Sequence, residues 1–293
     1  MSYGLYFKVH ESQPKFTRGS VRGFFEQREH YELTDAQAYY KNEATGVYFS
    51  FNFEETRIEE SPNTLPITFC LNFYRPHIFG LEAELEVRAF VETLNLLVSD
   101  PHLSGMGDGE YSTEGFLAGW NNGNRFAYSA VSQGQPDLKP PLLATAQIEA
   151  CWRWNLGRPG LRDRLRGQVF VPRYMFVEHE GKVVRMIVWP DGIRTAIPEA
   201  EIVAIPRKPN LRDRFFGKKE DVVFVPWNDV QPLLEQFPKN IESTPYYLGH
   251  SEFPASVAAW IRKIRPSLQK PTGVAVDKIL NLELMEEARK HGQ

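Results

Sequence analysis

The chain has 293 residues, 42% of them hydrophobic and 24% charged, and these proportions argue against an intrinsically disordered protein. The length suits one large or two medium domains. The net charge of −3 hides an uneven distribution, because residues 1–157 hold 12 Lys and Arg against 20 Asp and Glu, whereas residues 158–219 hold 14 against 7. We therefore expect an acidic domain over residues 1–157 and a basic unit over residues 158–293, with opposite preferences for partners.

The N-terminal residues show no basic patch followed by an apolar run, and no segment reaches the roughly 20 apolar residues that cross a bilayer. Cys70 and Cys151 lie among apolar residues, which is typical of reduced, buried thiols. We therefore expect a cytoplasmic protein without a membrane partner.

Strand-like alternation dominates the first part of the chain. Residues 2–9 predict a short strand, and residues 45–53 and 65–74 predict two longer ones, each with one apolar side. Residues 80–100 predict a helix with a core stripe of Leu81, Leu85, Phe90, Leu94 and Leu97, and an acidic face of Glu82, Glu84, Glu86 and Glu92.

Further along, Thr113 is a candidate cap for a helix that Asn121–Asn124 would weaken or break, and residues 141–157 predict a helix ended by Gly157. Beyond residue 160 the pieces are short and β-like, and Glu180 and Gly181 predict a hairpin turn. Helical patterns return near the C-terminus. The fold expected is α+β: an antiparallel sheet with packed helices, then a smaller β-rich unit with C-terminal helices.

No motif predicts a metal or a cofactor. The seven histidines are too far apart to share a helical face, and HExxH, CxxC and calcium-loop patterns do not occur. Cys70 suits a structural role better than a nucleophilic one. The glycine-rich loop at residues 105–110 could bring backbone amides to a phosphate, with Asp108 and Glu110 as acid and base, but it lacks the lysine of a P-loop, so a surface loop is the favoured interpretation.

The basic middle segment offers a second possible site. Its candidate anion-binding residues are Arg207, Lys208, Arg212, Arg214, Lys218 and Lys219. Such cations could neutralise nucleic-acid phosphates while Phe215 and Phe216 stack on bases. The favoured alternative is that these cations are solvated or form ion pairs with the acidic domain. Nucleic acid is therefore not the expected partner.

The runs YYKNEATGVYFSFNFEE and ITFCLNFYRPHIFGLEAE, with FLAGWNNGN at residues 116–124, resemble cytosolic immunity proteins encoded beside secreted bacterial toxins, including toxins of type VI secretion. The resemblance covers about the first 155 residues. It implies a protein that neutralises a cognate toxin by stoichiometric occlusion of its active site, and a nuclease toxin would present a basic surface.

An acidic first domain matches such a partner. The expected partner-binding residues are Glu54, Glu55, Glu82, Glu86, Glu92 and Trp120. Carboxylates would steer the encounter and an aromatic side chain would anchor it. Two alternatives stay open: a nucleic-acid or nucleotide-binding enzyme or regulator that uses the basic segment, and a structural subunit of a larger assembly.

Overall fold

The computed structural model divides the chain into two compact units, and unit 1 is discontinuous. Unit 1 comprises Met1–Ile148 together with Val276–Gln293, and unit 2 is Glu149–Ala275. The residues that the structure describes are 1–11, 18–54, 63–102, 104–135, 137–190, 193–207, 221–240, 245–248, 255–265 and 270–290. This division differs from the expected boundary at residue 157, since the C-terminal segment groups with unit 1.

The two units carry opposite charge. Unit 1 contains 14 Lys and Arg against 23 Asp and Glu, a net charge of −9. Unit 2 contains 20 against 14, a net charge of +6. The charge asymmetry seen in the sequence therefore follows the structural division.

Unit 1 is built on a seven-stranded antiparallel sheet. Its strands are β1 (Ser2–Val9), β2 (Tyr31–Leu33), β3 (Gln37–Lys41), β4 (Tyr48–Phe53), β5 (Thr64–Asn72), β6 (Leu96–Ser99) and β7 (Asp108–Gly109). Their order in space is β2-β3-β4-β5-β1-β6-β7. In β1 and β4 every second residue is buried, which confirms the alternation expected from the sequence.

The helices of the described residues confirm the α+β class. They are α1 (Arg18–Glu26), α2 (Ile78–Leu94), α3 (Thr113–Gly134), α4 (Thr145–Arg164), α5 (Trp227–Leu234), α6 (Ala255–Lys263) and α7 (Leu282–Lys290). The helices of unit 1 that contact the sheet pack against its apolar side. Phe90 of α2 makes an edge contact with Phe7 of β1 at 4.9 Å between ring centroids and lies 5.1 Å from Phe51 of β4. Aromatic packing of this kind adds about 0.5–1.5 kcal/mol per pair beyond area burial.

Helix α2 buries a different side from the one expected. Leu85, placed in the core stripe by the sequence pattern, is 37% exposed, whereas Glu82 and Glu84 are buried. The apolar residues of α2 that are buried are Ile78, Phe79, Ala83, Val87, Phe90 and Val91. The helix also ends earlier than expected, at Leu94, because Asn95 takes a left-handed conformation with φ 50°.

Helix α3 continues through Asn121–Asn124, so the expected weakening there is wrong. The cap is Ser112, whose Oγ accepts a hydrogen bond from the Gly115 amide at 3.0 Å. Two of these residues make specific packing contacts: the buried Asn124 Oδ1 accepts from the Tyr74 amide at 2.7 Å, and a Cβ at Gly123 would meet Phe73 at 2.2 Å. The tertiary contacts outweigh the low helix propensity of these residues.

The remaining strands are β8 (Leu142–Leu143), β9 (Met175–His179), β10 (Lys182–Val188), β11 (Ala196–Pro198), β12 (Ile202–Arg207), β13 (Asp221–Pro226), β14 (Lys239–Asn240), β15 (Tyr246–Leu248), β16 (Thr272–Val274) and β17 (Leu280–Asn281). Strands β8 and β17 pair in parallel within unit 1. Unit 2 holds a five-stranded sheet in the order β13-β12-β10-β9-β16 and a three-stranded sheet in the order β11-β15-β14. The β9–β10 hairpin confirms the turn predicted at Glu180 and Gly181, which both have positive φ.

Candidate functional site

The unit 1 sheet has a second side, opposite its apolar core, and we call it the open face; at one end of it Tyr48 is partly covered, since its ring lies 5.4 Å from that of Phe79 in α2. Its side chains are those that alternate with the apolar core positions. They include the polar Tyr6, Lys8, Glu32, Gln37, Tyr39, Lys41, Tyr48, Ser50, Asn52, Thr68, Cys70, Asn72 and Ser99, and the apolar Pro66 and Leu97. Most are half-buried, and Glu32 and Lys41 are exposed. The open face is therefore polar and rich in tyrosine, in contrast with the phenylalanine-rich side beneath.

Strand register arranges these side chains in rows across the sheet. One row runs through direct cross-strand neighbours on six strands: Gln37, Asn52, Thr68, Tyr6, Ser99 and Asp108. A second row joins Glu32, Tyr39, Ser50, Cys70 and Gly4. Directly opposed side chains in an antiparallel sheet lie about 4.5–5.5 Å apart at Cβ. The rows therefore form a continuous surface.

Tyrosine side chains give the open face its largest contact area. The rings of Tyr39 and Tyr48 lie 6.3 Å apart, and the Tyr48 hydroxyl donates to Asp277 Oδ2 at 3.0 Å. Burial raises the pKa of Tyr39 and of Tyr48 above the ordinary phenol value. Both phenols are therefore protonated at neutral pH; the Tyr48 proton is donated to Asp277, and the Tyr39 hydroxyl carries a proton that it can donate.

Carboxylates outnumber ammonium groups on and around this surface. Lys8 Nζ binds Asp108 Oδ2 at 3.0 Å, and Lys41 Nζ binds Glu43 Oε1 at 2.5 Å. A hydrogen bond from Ser99, then the one from Lys8, lowers the pKa of Asp108, so this carboxylate stays ionised. Glu32, Glu54 and Asp277 add negative charge, and the Arg75 guanidinium, 5.9 Å from the centroid of the Tyr48 ring, adds one positive charge. The open face therefore suits a partner with a basic surface.

The structure corrects two of the expected partner-binding residues. Glu82 is 1% exposed, and its Oε1 accepts hydrogen bonds from Tyr40 Oη, Asn42 Nδ2 and Thr45 Oγ1 at 2.8, 2.8 and 2.9 Å. Trp120 is 0% exposed and stacks on Phe73 with ring centroids 5.3 Å apart. Neither side chain can reach a partner, because each is enclosed by its own unit.

The other expected residues are dispersed. Glu86 is held by Arg28 through two hydrogen bonds of 2.9 Å, Glu54 accepts from Thr68, and Glu92 is exposed on α2. Glu55 lies outside the described residues. Of the described members of this set, Glu54 is the one that reaches the open face, and the acidic helix face expected from the sequence is not formed.

The expected anion-binding set is described at one position only. Arg207 donates through one terminal nitrogen to the carbonyls of Ile261 and Ile264 at 2.9 and 2.7 Å, which places it at the C-terminal end of α6. There it satisfies helix-end carbonyls. Lys208, Arg212, Arg214, Lys218 and Lys219 lie outside the described residues. In the glycine-rich loop, Asp108 belongs to β7 and Glu110 is exposed.

A carboxylate and a histidine beside that loop form a pair that the sequence interpretation missed. Buried Asp100 accepts hydrogen bonds from Tyr3 Oη at 2.7 Å, from the amide of Met106 at 3.0 Å and from the amide of His102 at 2.9 Å. Its Oδ1 also lies 2.8 Å from His102 Nδ1. These contacts fix the imidazole and close the loop. The sequence signal available was an aspartate at the end of a strand followed closely by a histidine.

No protein-family model, curated protein or solved structure matches this chain. Among the described helices, none combines the length and the apolar character that a bilayer crossing requires. Within the same residues, no group of three or more His, Cys, Asp and Glu side chains is arranged to hold a metal ion. The functional argument therefore depends on the surface of unit 1 itself.

The two cysteines are expected to differ sharply in reactivity. Burial raises the pKa of the Cys151 thiol to about 12, whereas Cys70 is half-buried on the open face. Because the thiolate is the nucleophile, brief treatment of the native protein with a maleimide should label Cys70 and leave Cys151 unlabelled. Mass spectrometry of the digested protein measures both sites, and unfolding in guanidinium should make both reactive. Equal labelling of the two thiols in the native state would contradict the burial of Cys151.

Proposed function

We propose that this protein is a cytoplasmic bacterial immunity protein that binds a cognate toxin through the open face of unit 1 and occludes its active site stoichiometrically. The observation that carries the proposal is the open face: half-buried tyrosines and surplus carboxylates on a rigid sheet backed by an aromatic core. Tyrosine provides large contact area at low entropic cost, and it is enriched among the residues that dominate binding energy.

Electrostatics supports a basic partner such as a nuclease. Unit 1 carries a net charge of −9, and a protein that binds nucleic acid presents a basic cleft to its substrate. Opposite charge accelerates association, and added salt slows it. The likeness of residues 39–55 and 67–84 to immunity proteins of bacterial toxins agrees with a basic toxin as the partner. The binding residues proposed are Glu32, Tyr39 and Glu54, in place of Glu82 and Trp120.

The test begins with a tagged protein captured from the lysate of the native bacterium at low and high salt, followed by identification of the bound protein. The purified partner is then titrated with this protein. We expect its toxic activity to fall to zero at one equivalent. The double variant Glu32→Lys, Tyr39→Ser should bind about 30-fold more weakly, since removing one central aromatic side chain costs about 2 kcal/mol.

The matched control is Glu92→Lys, Phe126→Ser, which likewise reverses one carboxylate charge and removes one aromatic ring, at exposed positions of α2 and α3. It should inhibit as the wild type does. If the control loses inhibition and the open-face variant keeps it, the helical side is the binding surface and the open-face proposal fails. A partner whose activity is unaffected at several equivalents would exclude the inhibitor function altogether.

A further inference from the structure

A histidine joins the C-terminal segment of unit 1 to the start of helix α2. His77 directly precedes the first residue of α2, and its backbone amide donates to Oδ1 of the fully buried Asn281 at 2.9 Å. The Nδ1 atom of the same histidine lies 2.7 Å from Asn281 Nδ2. Asn281 belongs to β17, directly before α7, so this contact ties residues 276–290 to α2. We call residues 276–290 the latch.

The hydrogen bonds of Asn281 decide the protonation state of His77. A backbone amide can only donate, so the Asn281 atom that receives it is the oxygen, and the atom that faces the imidazole is the amide nitrogen. That nitrogen also donates to Thr145 Oγ1 at 2.9 Å, and the Thr145 hydroxyl donates in turn to Glu283 Oε2 at 2.5 Å. His77 Nδ1 is therefore an acceptor, which requires an imidazole with no proton on that atom. The docked latch holds His77 in its neutral form.

The ionisable groups around His77 leave this preference in place. The positive end of the α2 dipole disfavours an imidazolium at this position, and Arg75, two residues earlier, is a further cation. Burial raises the pKa of Tyr128, so this phenol stays neutral. Glu283 attracts a positive His77, but it is exposed, so solvent screens the attraction. Burial opposes the ionisation of Glu283, yet the hydrogen bonds from Thr145 hold the pKa of its carboxyl below the usual range, so it does not titrate near neutral pH.

The apolar contact of the latch is a small cluster. Leu280, Met285 and Ala288 of the latch are buried together with Tyr128 of α3. The amide of Leu280 donates to the Pro141 carbonyl at 2.9 Å. A segment that buries few apolar side chains opens at a lower free energy than the main core of its domain. The latch can therefore detach while the seven-stranded sheet stays folded.

We propose that the latch is acid-sensitive: protonation of His77 Nδ1 turns an acceptor into a donor that faces the Asn281 amide group, breaks the hydrogen bond between them and releases residues 276–290. A histidine held neutral in the docked state contributes stability that is present above the ordinary histidine pKa of about 6.5 and is lost as the pH falls through it. Release uncovers Tyr128 and frees the Tyr48 hydroxyl from Asp277. Acid thus exposes apolar surface on unit 1 and changes one end of the open face.

Hydrogen–deuterium exchange of the full-length protein at pH 7.5 and at pH 5.5 measures this release. The readout is the protection factor of peptides from α7, which corrects for the intrinsic exchange rate at each pH. We expect it to fall about 10-fold at the lower pH, the limit for one group with a pKa of about 6.5 in the released state. His77→Gln, whose side-chain oxygen also accepts from Asn281, should keep the protection of α7 nearly constant. Peptides of β1 and β5 should keep their protection in both proteins.

Asn281→Asp is the sharper variant, because a carboxylate accepts from the His77 backbone amide and from a protonated Nδ1 alike. It should reverse the direction, so that the protection of α7 rises as the pH falls, and adding His77→Gln should remove that rise. This reversal tests the proposal even if His77→Gln alone does not fold.

The matched control is His102→Gln. His102 is another half-buried histidine of unit 1, but its Nδ1 lies 2.8 Å from a carboxylate oxygen of Asp100, so it should leave the response of α7 as in the wild type. Constant protection of α7 in the wild type overturns the proposal. It is overturned equally by a 10-fold fall that persists in His77→Gln, by a fall in Asn281→Asp, or by the same fall across β1 and β5, which would report unfolding of the whole unit.

Discussion

Replacing Glu82 by alanine should lower the free energy of unfolding by about 3–5 kcal/mol. The carboxylate is 1% exposed and is the common acceptor for Tyr40, Asn42 and Thr45, which lie in and after β3. Its removal leaves three donors of the native state without that acceptor, and each buried donor that loses its partner costs about 1–3 kcal/mol. Urea denaturation followed by circular dichroism measures the change.

Two further substitutions test whether the loss of stability comes from the lost hydrogen bonds to Glu82. Glu82→Gln keeps an acceptor oxygen in nearly the same place, so it should recover a large part of the stability. Glu92→Ala, on the same helix but exposed, should change stability by less than about 0.5 kcal/mol. If Glu82→Ala is as mild as Glu92→Ala, the three donors do not depend on this carboxylate.

Trp120→Ala should be equally damaging, at about 3–5 kcal/mol, because the indole is fully buried against Phe73 and beside Gly80. Only glycine leaves room for the indole at position 80, because a Cβ there would lie 2.0 Å from Trp120 Cδ1. Gly80→Ala in the wild-type background should therefore cost about 1–3 kcal/mol, although alanine is the better helix former.

The pair allows a thermodynamic cycle. In the Trp120→Ala background the obstacle is gone, so Gly80→Ala should become neutral or stabilising. Trp120→Phe is the control for ring packing, since it keeps an aromatic side chain and removes an indole N–H that has no hydrogen-bond partner among the described residues. The same cost for Gly80→Ala in both backgrounds would show that the contact with Trp120 is not its cause.

The sheet was predictable from sequence because its signal is local. Alternation over a few residues identifies the buried side of β4 and β5, and by the same rule it identifies Tyr48 and Cys70 as members of the opposite side. The residues of the open face could therefore be identified from the sequence. The β9–β10 hairpin was equally local, since two adjacent residues of positive φ define its turn.

The two wrongly predicted binding residues, Glu82 and Trp120, both have surroundings that come from distant parts of the chain. Glu82 looked like a surface residue because its three donors come from a segment about 40 residues earlier in the chain. Trp120 looked like an exposed anchor because Gly80 and Phe73, which enclose it, lie on other elements. Helical periodicity shows where apolar residues recur. It does not show that a carboxylate is buried, when the groups that donate hydrogen bonds to it lie on a different element.

The discontinuity of unit 1 affects the order in which the chain can mature on the ribosome. Unit 2 is in effect an insertion of residues 149–275 into the sequence of unit 1. Helix α7 supplies Met285 and Ala288 to the cluster around Tyr128, and these residues are synthesised after unit 2. A nascent chain that has already produced all seven strands of the antiparallel sheet of unit 1 still exposes the Tyr128 side of this apolar cluster. Unit 2 can thus complete its folding before unit 1 does, and a product truncated before residue 276 would be a natural substrate for chaperones and proteases.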